Sequence, residues 1–315
     1  MSATFNPIVS VVIPAYNAAT FIETTLESVR AQTFTRYEVV VVDDGSSDET
    51  ASVVERYLGD HHLDGRCVRQ ENQGIAAARN AGMRAARTDY IALLDHDDLW
   101  YPTKLDVVMR EFDTHPDVDL VCHSENITRD GDHVRVSRYG PVTDRLYERM
   151  LFAGRAPSPS ATTFGREKAL AIGGFLERSD YHTVEDYDFW MRLSRVAKFR
   201  FLDDEILAEY VLVDRAASRD ILLHHVNLEI MLSDHLRQYL ANHRGALATL
   251  RVRKRLSIIY RSAASQLMAR GAKNSTQMEF VQKMLHAYPL EPRNIAVALK
   301  WLLRTSRHPR AQHGS

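Results

Sequence analysis

Hydrophobic residues along this chain come first in short unbroken runs and later in helical stripes. Val9 to Ile13 is almost wholly apolar and β-branched and ends at Pro14, the pattern of a strand buried on both faces. Phe21, Ile22, Leu26 and Val29 follow at helical spacing. Tyr37 to Val42 predicts a second buried strand, Val53, Val54, Tyr57 and Leu58 a second helix, and Cys67-Val68 a short third strand. The alanine-rich stretch Ile75 to Ala86 predicts a third helix, leading into a strand over Tyr90 to Leu94. Strands alternating with helices of this length predict βαβ units and right-handed crossovers.

The pattern then changes. After Pro102 a helix carries Leu105, Val108, Met109 and Phe112, followed by a strand over Val118 to Cys122 and a hairpin at Asp130-Gly131. Gly154 to Gly174 reads as loop-rich, Val184 to Val196 as a helix that starts on acidic residues, and Phe199 to Leu202 and Ile206 to Val211 as final strands. From about Ala216 onward the periodicity is helical, broken at Gly245, Gly271 and Pro289. The fold class expected is α/β: a Rossmann-like, mainly parallel central sheet flanked by helices, with a C-terminal helical appendage. Its first domain spans 1–215, with a nucleotide-binding half over about 1–100 and an acceptor half over about 101–215, and a basic helical region covers 216–315. Near the C-terminus Ile295, Val297, Leu299, Trp301, Leu302 and Leu303 alternate with Arg293, Lys300, Arg304, Arg307 and Arg310. That composition fits either contact with an anionic membrane surface or a helix packed on the main domain with its basic side in water.

Composition adds an asymmetry. The 315 residues carry a formal net charge of -1, which argues against nucleic acid as a partner. From Asp220 onward, however, there are 15 Lys+Arg against 5 Asp+Glu, which leaves 25 against 36 in the preceding part. The two parts are expected to meet different partners. Cys67 and Cys122 imply no disulfide framework and fit a reducing compartment. Met1 to Pro7 lacks the features of a signal peptide, and no apolar run approaches the roughly 18 to 20 residues of a membrane span. The expected location is cytoplasmic, and the C-terminal helices leave open a peripheral contact at the inner face of the membrane.

The chemistry collects at strand ends. Pro14-Ala15-Tyr16-Asn17 follows the first strand, Asp43-Asp44-Gly45-Ser46 the second, and Asp95-His96-Asp97-Asp98 the fourth. In a parallel sheet all three turns open onto the same carboxyl edge, where such folds bind ligands. Carboxylate oxygens are hard ligands that suit Mg²⁺ or Mn²⁺; the bland alternative is a polar turn with Asp98 capping the next helix. Neither G-x-G-x-x-G after the first strand nor a Gly-Lys-Ser/Thr phosphate loop is present. Without a glycine cradle a diphosphate needs a cation.

Six segments together resemble the family 2 glycosyltransferases of the GT-A fold, inverting enzymes that use nucleotide-diphospho-sugars. They are Val9 to Asn17, Val42 to Asp48, Asn72-Gln73-Gly74 with Ala78-Arg79-Asn80, Leu94 to Trp100, Gly173-Gly174-Phe175, and Glu185 to Trp190, in order over roughly 8–212. The resemblance implies a nucleotide-sugar site at Pro14, Tyr16, Asn17, Asp44, Arg79, Asp95 and His96. Tyr16 would stack on the base, Asp44 would accept the N3–H of a uracil, and Arg79 would reach the nucleotide. Asp97, with Asp95, would hold a divalent metal, Mn²⁺ or Mg²⁺. Asp186 would be the catalytic base, with Glu185 positioning the acceptor or exchanging roles with it.

The function this implies is transfer of a single sugar from a nucleotide-diphospho-sugar, a UDP-sugar by preference, to a hydroxyl of a glycan or lipid-linked acceptor in bacterial cell-surface polysaccharide synthesis. Two rivals share some of these features: a nucleotidyltransferase, and a catalytically silent nucleotide-sugar-binding subunit. One departure stands out. Family members often carry Tyr-Arg-x-His after the last strand, where this chain has Tyr210-Val211-Leu212-Val213, before Ser218-Arg219.

Overall fold

The apolar run at the start forms β1 (Val9–Ala15), all seven residues of it buried. The computed structural model describes residues 6–141, 143–212 and 220–307, with residues 306 and 307 as backbone only. The expected boundary near residue 215 lies outside the described residues, as do Met1 to Phe5, Val213, Ser218, Arg219 and Arg310. Two compact units are present, Met1–Met150 with Gly154–Ala216, and Leu151–Ala153 with Ala217–Ser315.

In the first unit, β1 pairs in parallel with β2 (Tyr37–Asp44) on one side and β4 (Tyr90–Leu93) on the other, and β2 pairs in parallel with β3 (Gly65–Gln70). Between these strands run α1 (Ile22–Arg30), α2 (Thr50–Asp60) and α3 (Ile75–Ala85). Alternate residues serve opposite faces. Val9, Val11, Ile13, Val39 and Val41 join α1, α2 and α4 (Lys104–Thr114) in one core. Val12 and Val42 meet α3 on the other face, where a Cβ on Gly82 would lie 2.3 Å from Val12 Cγ1. Only glycine lets α3 come this close. Each such aliphatic side chain contributes roughly 1.5–3 kcal/mol by leaving water.

Beyond β4 the sheet becomes mixed. Among the described residues it has nine strands, ordered β3-β2-β1-β4-β8-β6-β9-β5, with β7 on β6. Here β5 is Leu99–Trp100, β6 Leu120–Arg129, β7 Asp132–Ser137, β8 Thr162–Gly165 and β9 Phe199–Val211, and the helices α5 (Leu146–Ala153), α6 (Arg166–Ala171) and α7 (Glu185–Leu193) fall between β7 and β9 along the chain. This is the expected α/β architecture, with two local differences. The stretch read as loop contains β8, inserted antiparallel between β4 and β6. Its Thr162 and Thr163 look like loop residues but are fully buried, because Thr162 Oγ1 donates to Pro159 O (2.7 Å) and Lys104 Nζ donates to Thr163 Oγ1 (2.9 Å). The two final strands are one, β9, in which Asp203, Asp204 and Glu205 bulge out between Leu202, paired with His123, and Ile206, paired with Ser124.

The second unit is helical: α8 (Ile221–Asn242), α9 (Ala246–Ala269), α10 (Asn274–Ala287) and α11 (Pro292–Arg307). The breaks fall at Gly245, Gly271 and Pro289, as the sequence predicts. Tyr260, Leu267, Phe280 and Met284 form its core, with Val297, Ala298 and Trp301 packed against it. Among the described residues no helix is long and apolar enough to cross a membrane.

Candidate functional site

The carboxyl ends of β1, β2 and β4 meet at one rim. Within β1, Val12 O accepts from Leu94 N (3.1 Å), so by alternation Pro14 also faces the β4 side. The β1–β4 pairing stops at Val12. A missing N–H at Pro14 therefore costs no ladder bond, and Pro14 O is instead contacted by His96 Nδ1 at 3.2 Å. His96 is thus half-buried against β1.

Tyr16 is 47% exposed, with its ring available at the rim. Asn17, at φ 49°, ties the first turn to the second: its N donates to Ser46 Oγ (2.9 Å) and its Oδ1 accepts from Ser47 N (2.9 Å). Asp44 is buried. Its carboxylate accepts from Gln70 Nε2 (2.7 Å), Gln73 N (2.9 Å) and Gly74 N (2.8 Å), which fills three of about four acceptor positions. Gly45, between these turns, has φ 73°, and a Cβ there would sit 2.7 Å from Asn72 N. The turn requires glycine.

Arg79 is the hub. It projects from α3, is 2% exposed, and divides its guanidinium between two carboxylates. Nη2 donates to Asp95 Oδ1 (2.8 Å) and Nη1 to Glu185 Oε1 (2.8 Å). Both forked nitrogens of Arg79, the residue expected to reach the nucleotide, donate to protein carboxylates, and the side chain is enclosed. The next residue, Asn80, grips Phe175 in both directions, Nδ2 donating to Phe175 O (2.8 Å) and Phe175 N donating to Oδ1 (2.8 Å). Phe175 stacks on Phe189 of α7 (Glu185–Leu193) with ring centroids 4.0 Å apart. Through Arg79 and Asn80, α3 fixes the start of α7 beside the acidic turn after β4.

At that start, Asp186 Oδ1 accepts from Tyr187 N (2.7 Å). Burial first, then the neighbouring Glu185 charge, push the Asp186 carboxyl up to about 7 against the pull of Arg79. This lies where a general base for neutral pH is most effective. Glu185 is buried, and its Oε2 has no hydrogen-bond partner among the described residues.

Asp97 is half-buried and has no ion pair among the described residues; burial, with the nearby Asp95 charge, raises its carboxyl above the ordinary range despite His96. Asp98 does not cap a helix. Leu99 and Trp100 pair with β9 before α4 begins, and Asp98 turns inward, where Oδ1 accepts from Val211 N (2.9 Å) and Oδ2 from Ser160 Oγ (2.5 Å). Tyr210 stands close by. Burial, then the charges of Asp98, Asp95, Asp97 and Asp186, raise its phenol pKa.

Three residues of this neighbourhood escaped the sequence reading. Ser160 Oγ accepts from Asp95 N (3.1 Å) while bonding Asp98, so it holds the acidic turn in shape. Glu125 on β6 is fully buried, accepting from Ser158 Oγ (3.1 Å) and Tyr139 Oη (2.5 Å), and burial moves it up to about 7. Lys104 is fully buried, with its ammonium 3.6 Å from the centroid of the Trp100 ring. The available signals were a serine pair around Pro159 and a carboxylate inside a strand.

The donor set can be tested against a metal. Among the described residues no group of three or more His, Cys, Asp or Glu side chains is arranged to hold an ion. A Mg²⁺ or Mn²⁺ ion shared with a substrate diphosphate needs only one or two carboxylates from the protein. Asp97, half-buried and without an ion pair among the described residues, fits that case, with Asp95 beside it sharing its carboxylate with Arg79.

The family model described as glycosyl transferase family 2 matches residues 10–171, and the chain belongs to that family. A chondroitin synthase of Escherichia coli is 31% identical over 200 residues, 62% of this chain and 28% of that protein. The chain likewise spans less than two thirds of the first curated relatives it matches. Among solved structures, S. aureus TarS 1-349 in complex with UDP-GlcNAc aligns with a TM-score of 0.60 and 18% identity, over 96% of this chain and 93% of that one. The mannosyltransferase PcManGT from Pyrobaculum calidifontis, in complex with GDP-Man and Mn²⁺, aligns with a TM-score of 0.58 and 20% identity, over 96% and 88%. These likenesses show the shared GT-A fold.

Proposed function

We propose that the chain is an inverting glycosyltransferase that moves one sugar from a UDP-sugar to a hydroxyl of a glycan or lipid-linked acceptor, in bacterial cell-surface polysaccharide synthesis at the cytoplasmic face. One observation carries the reading: the Arg79 fork holds the acidic turn of β4 and the acidic start of α7 against each other, so donor and acceptor chemistry share one rim.

On this reading Tyr16 stacks on the base and the remaining acceptor position of Asp44 takes the uracil N3–H. Pro14, Asn17 and His96 shape the wall beside the diphosphate, and Asp95 faces the ribose. Asp97 and Asp95 hold the divalent ion, which when bound sets a fixed positive charge against the negative charge developing on the leaving diphosphate. Arg79 acts through Asp95 and Glu185, as a positioning residue. Asp186 takes the proton as the acceptor oxygen bonds to the anomeric carbon and the bond from that carbon to the diphosphate oxygen breaks. Glu185 orients the acceptor with its unpartnered oxygen.

Measuring UDP release from a panel of UDP-sugars, with and without Mn²⁺, tests the reading. Metal-dependent release from one donor is expected. Donor binding with no release for any acceptor would favour the silent subunit instead.

A further inference from the structure

On α11 three kinds of residue occupy three sectors. At about 100° per residue, Asn294, Val297, Ala298 and Trp301 share one sector. Asn294 is fully buried, donating through Nδ2 to Tyr288 O (2.7 Å) and accepting at Oδ1 from Arg261 Nη1 (3.0 Å), and the other three pack on the helical core. The next sector carries Ile295, Leu299 and Leu302, which are 44%, 54% and 53% exposed. The third sector, on the other flank of the packed one, carries Arg293 and Lys300, both exposed. One stripe of α11 thus packs on the core of its own helical unit, which leaves an apolar row on one flank and a basic row on the other in solvent.

We propose that α11 docks on an anionic lipid bilayer, lying in the plane of the surface with Ile295, Leu299 and Leu302 at the acyl boundary and Arg293 and Lys300 among the headgroup phosphates. Charge selects this occupant. A second copy laid on the same stripe would bring two basic rows together, within regions that each hold 15 Lys+Arg against 5 Asp+Glu. An anionic surface satisfies both the apolar row and the basic one. The inference rests on the glycosyl-transfer reading only for its purpose, access to a lipid-linked acceptor. Vesicle binding is read without sugar transfer, so either can fail alone.

The test is co-sedimentation of the full chain with vesicles of phosphatidylcholine alone, and of phosphatidylcholine with about a third phosphatidylglycerol. The wild type is expected to pellet with the anionic vesicles and to stay largely in solution with the neutral ones. Leu299→Ser with Leu302→Ser should lower the affinity for anionic vesicles about tenfold or more. Arg293→Glu with Lys300→Glu should lower it by a similar factor and flatten its dependence on salt. All four positions are exposed, so unchanged melting temperatures will show that the variants are folded. Wild type that stays in solution with both vesicle types overturns the proposal. So does a leucine pair variant that pellets like wild type, or a wild-type dimer dispersed by that same pair, which would give the stripe to a second copy.

Discussion

Arg79 and Glu185 lie 106 positions apart in the chain and meet in a buried ion pair 2.8 Å long. Asp95 takes the other half of the same guanidinium. Removing the cation would leave two carboxylates facing each other with little water. Arg79→Met should therefore cost about 3–5 kcal/mol, read from denaturant midpoints. Arg79→Lys should restore only part of this, because a point charge cannot bond two carboxylates in fork geometry.

On the proposed mechanism Asp186 gives transfer its pH dependence. A base must be deprotonated to work, and burial with the Glu185 charge holds this carboxyl at about 7. Activity should thus rise with pH through about 7 and reach a plateau above it, measured as kcat/KM at saturating metal. Asp186→Asn keeps an oxygen to accept from Tyr187 N and should lower kcat by roughly 10²–10⁴ while leaving donor binding intact.

Glu125 should shape stability in the opposite sense. Burial raises its carboxyl from 4.5 to about 7, so between these values the folded chain holds a proton that the unfolded chain has lost. Stability contributed by this group is fully present below about 4.5, falls as pH rises through the window, and is flat above about 7. Glu125→Gln can keep the bonds to Ser158 and Tyr139 without the charge. Thermal melts of this variant between pH 5 and 8 should show a shallower decline than the wild type.

Tyr16 offers a cleaner test of the proposed base contact, because an exposed ring contributes little to the fold. Tyr16→Ala should weaken UDP binding by about 1–3 kcal/mol, the worth of one base on an aromatic face, with no change in melting temperature. Calorimetric titration with UDP reads this directly.

The parallel half of the fold was legible because its signals are local. Val9 to Ile13 and Tyr37 to Val42 are buried on both faces, and the turns after them carry the polar residues that a sheet edge exposes. The Arg79 pairing was not legible. Nothing near Arg79 in sequence announces a partner on α7, and a surface arginine would read the same way. Strand β8 was hidden by Thr162 and Thr163, polar residues that can be buried only because Pro159 O and Lys104 Nζ satisfy their hydroxyls. The cap offered as the bland alternative for Asp98 fails for a related reason. A carboxylate before a helix resembles a cap until Val211 N and Ser160 Oγ, both distant in sequence, take its oxygens.

The most direct test of the site is calorimetric binding of UDP to wild type and to Asp97→Ala, each with and without Mn²⁺. If Asp97 and Asp95 hold the ion that meets the diphosphate, Mn²⁺ will tighten binding to the wild type and leave the variant unchanged. Equal binding to the wild type with and without Mn²⁺, or a full Mn²⁺ response in Asp97→Ala, would contradict it.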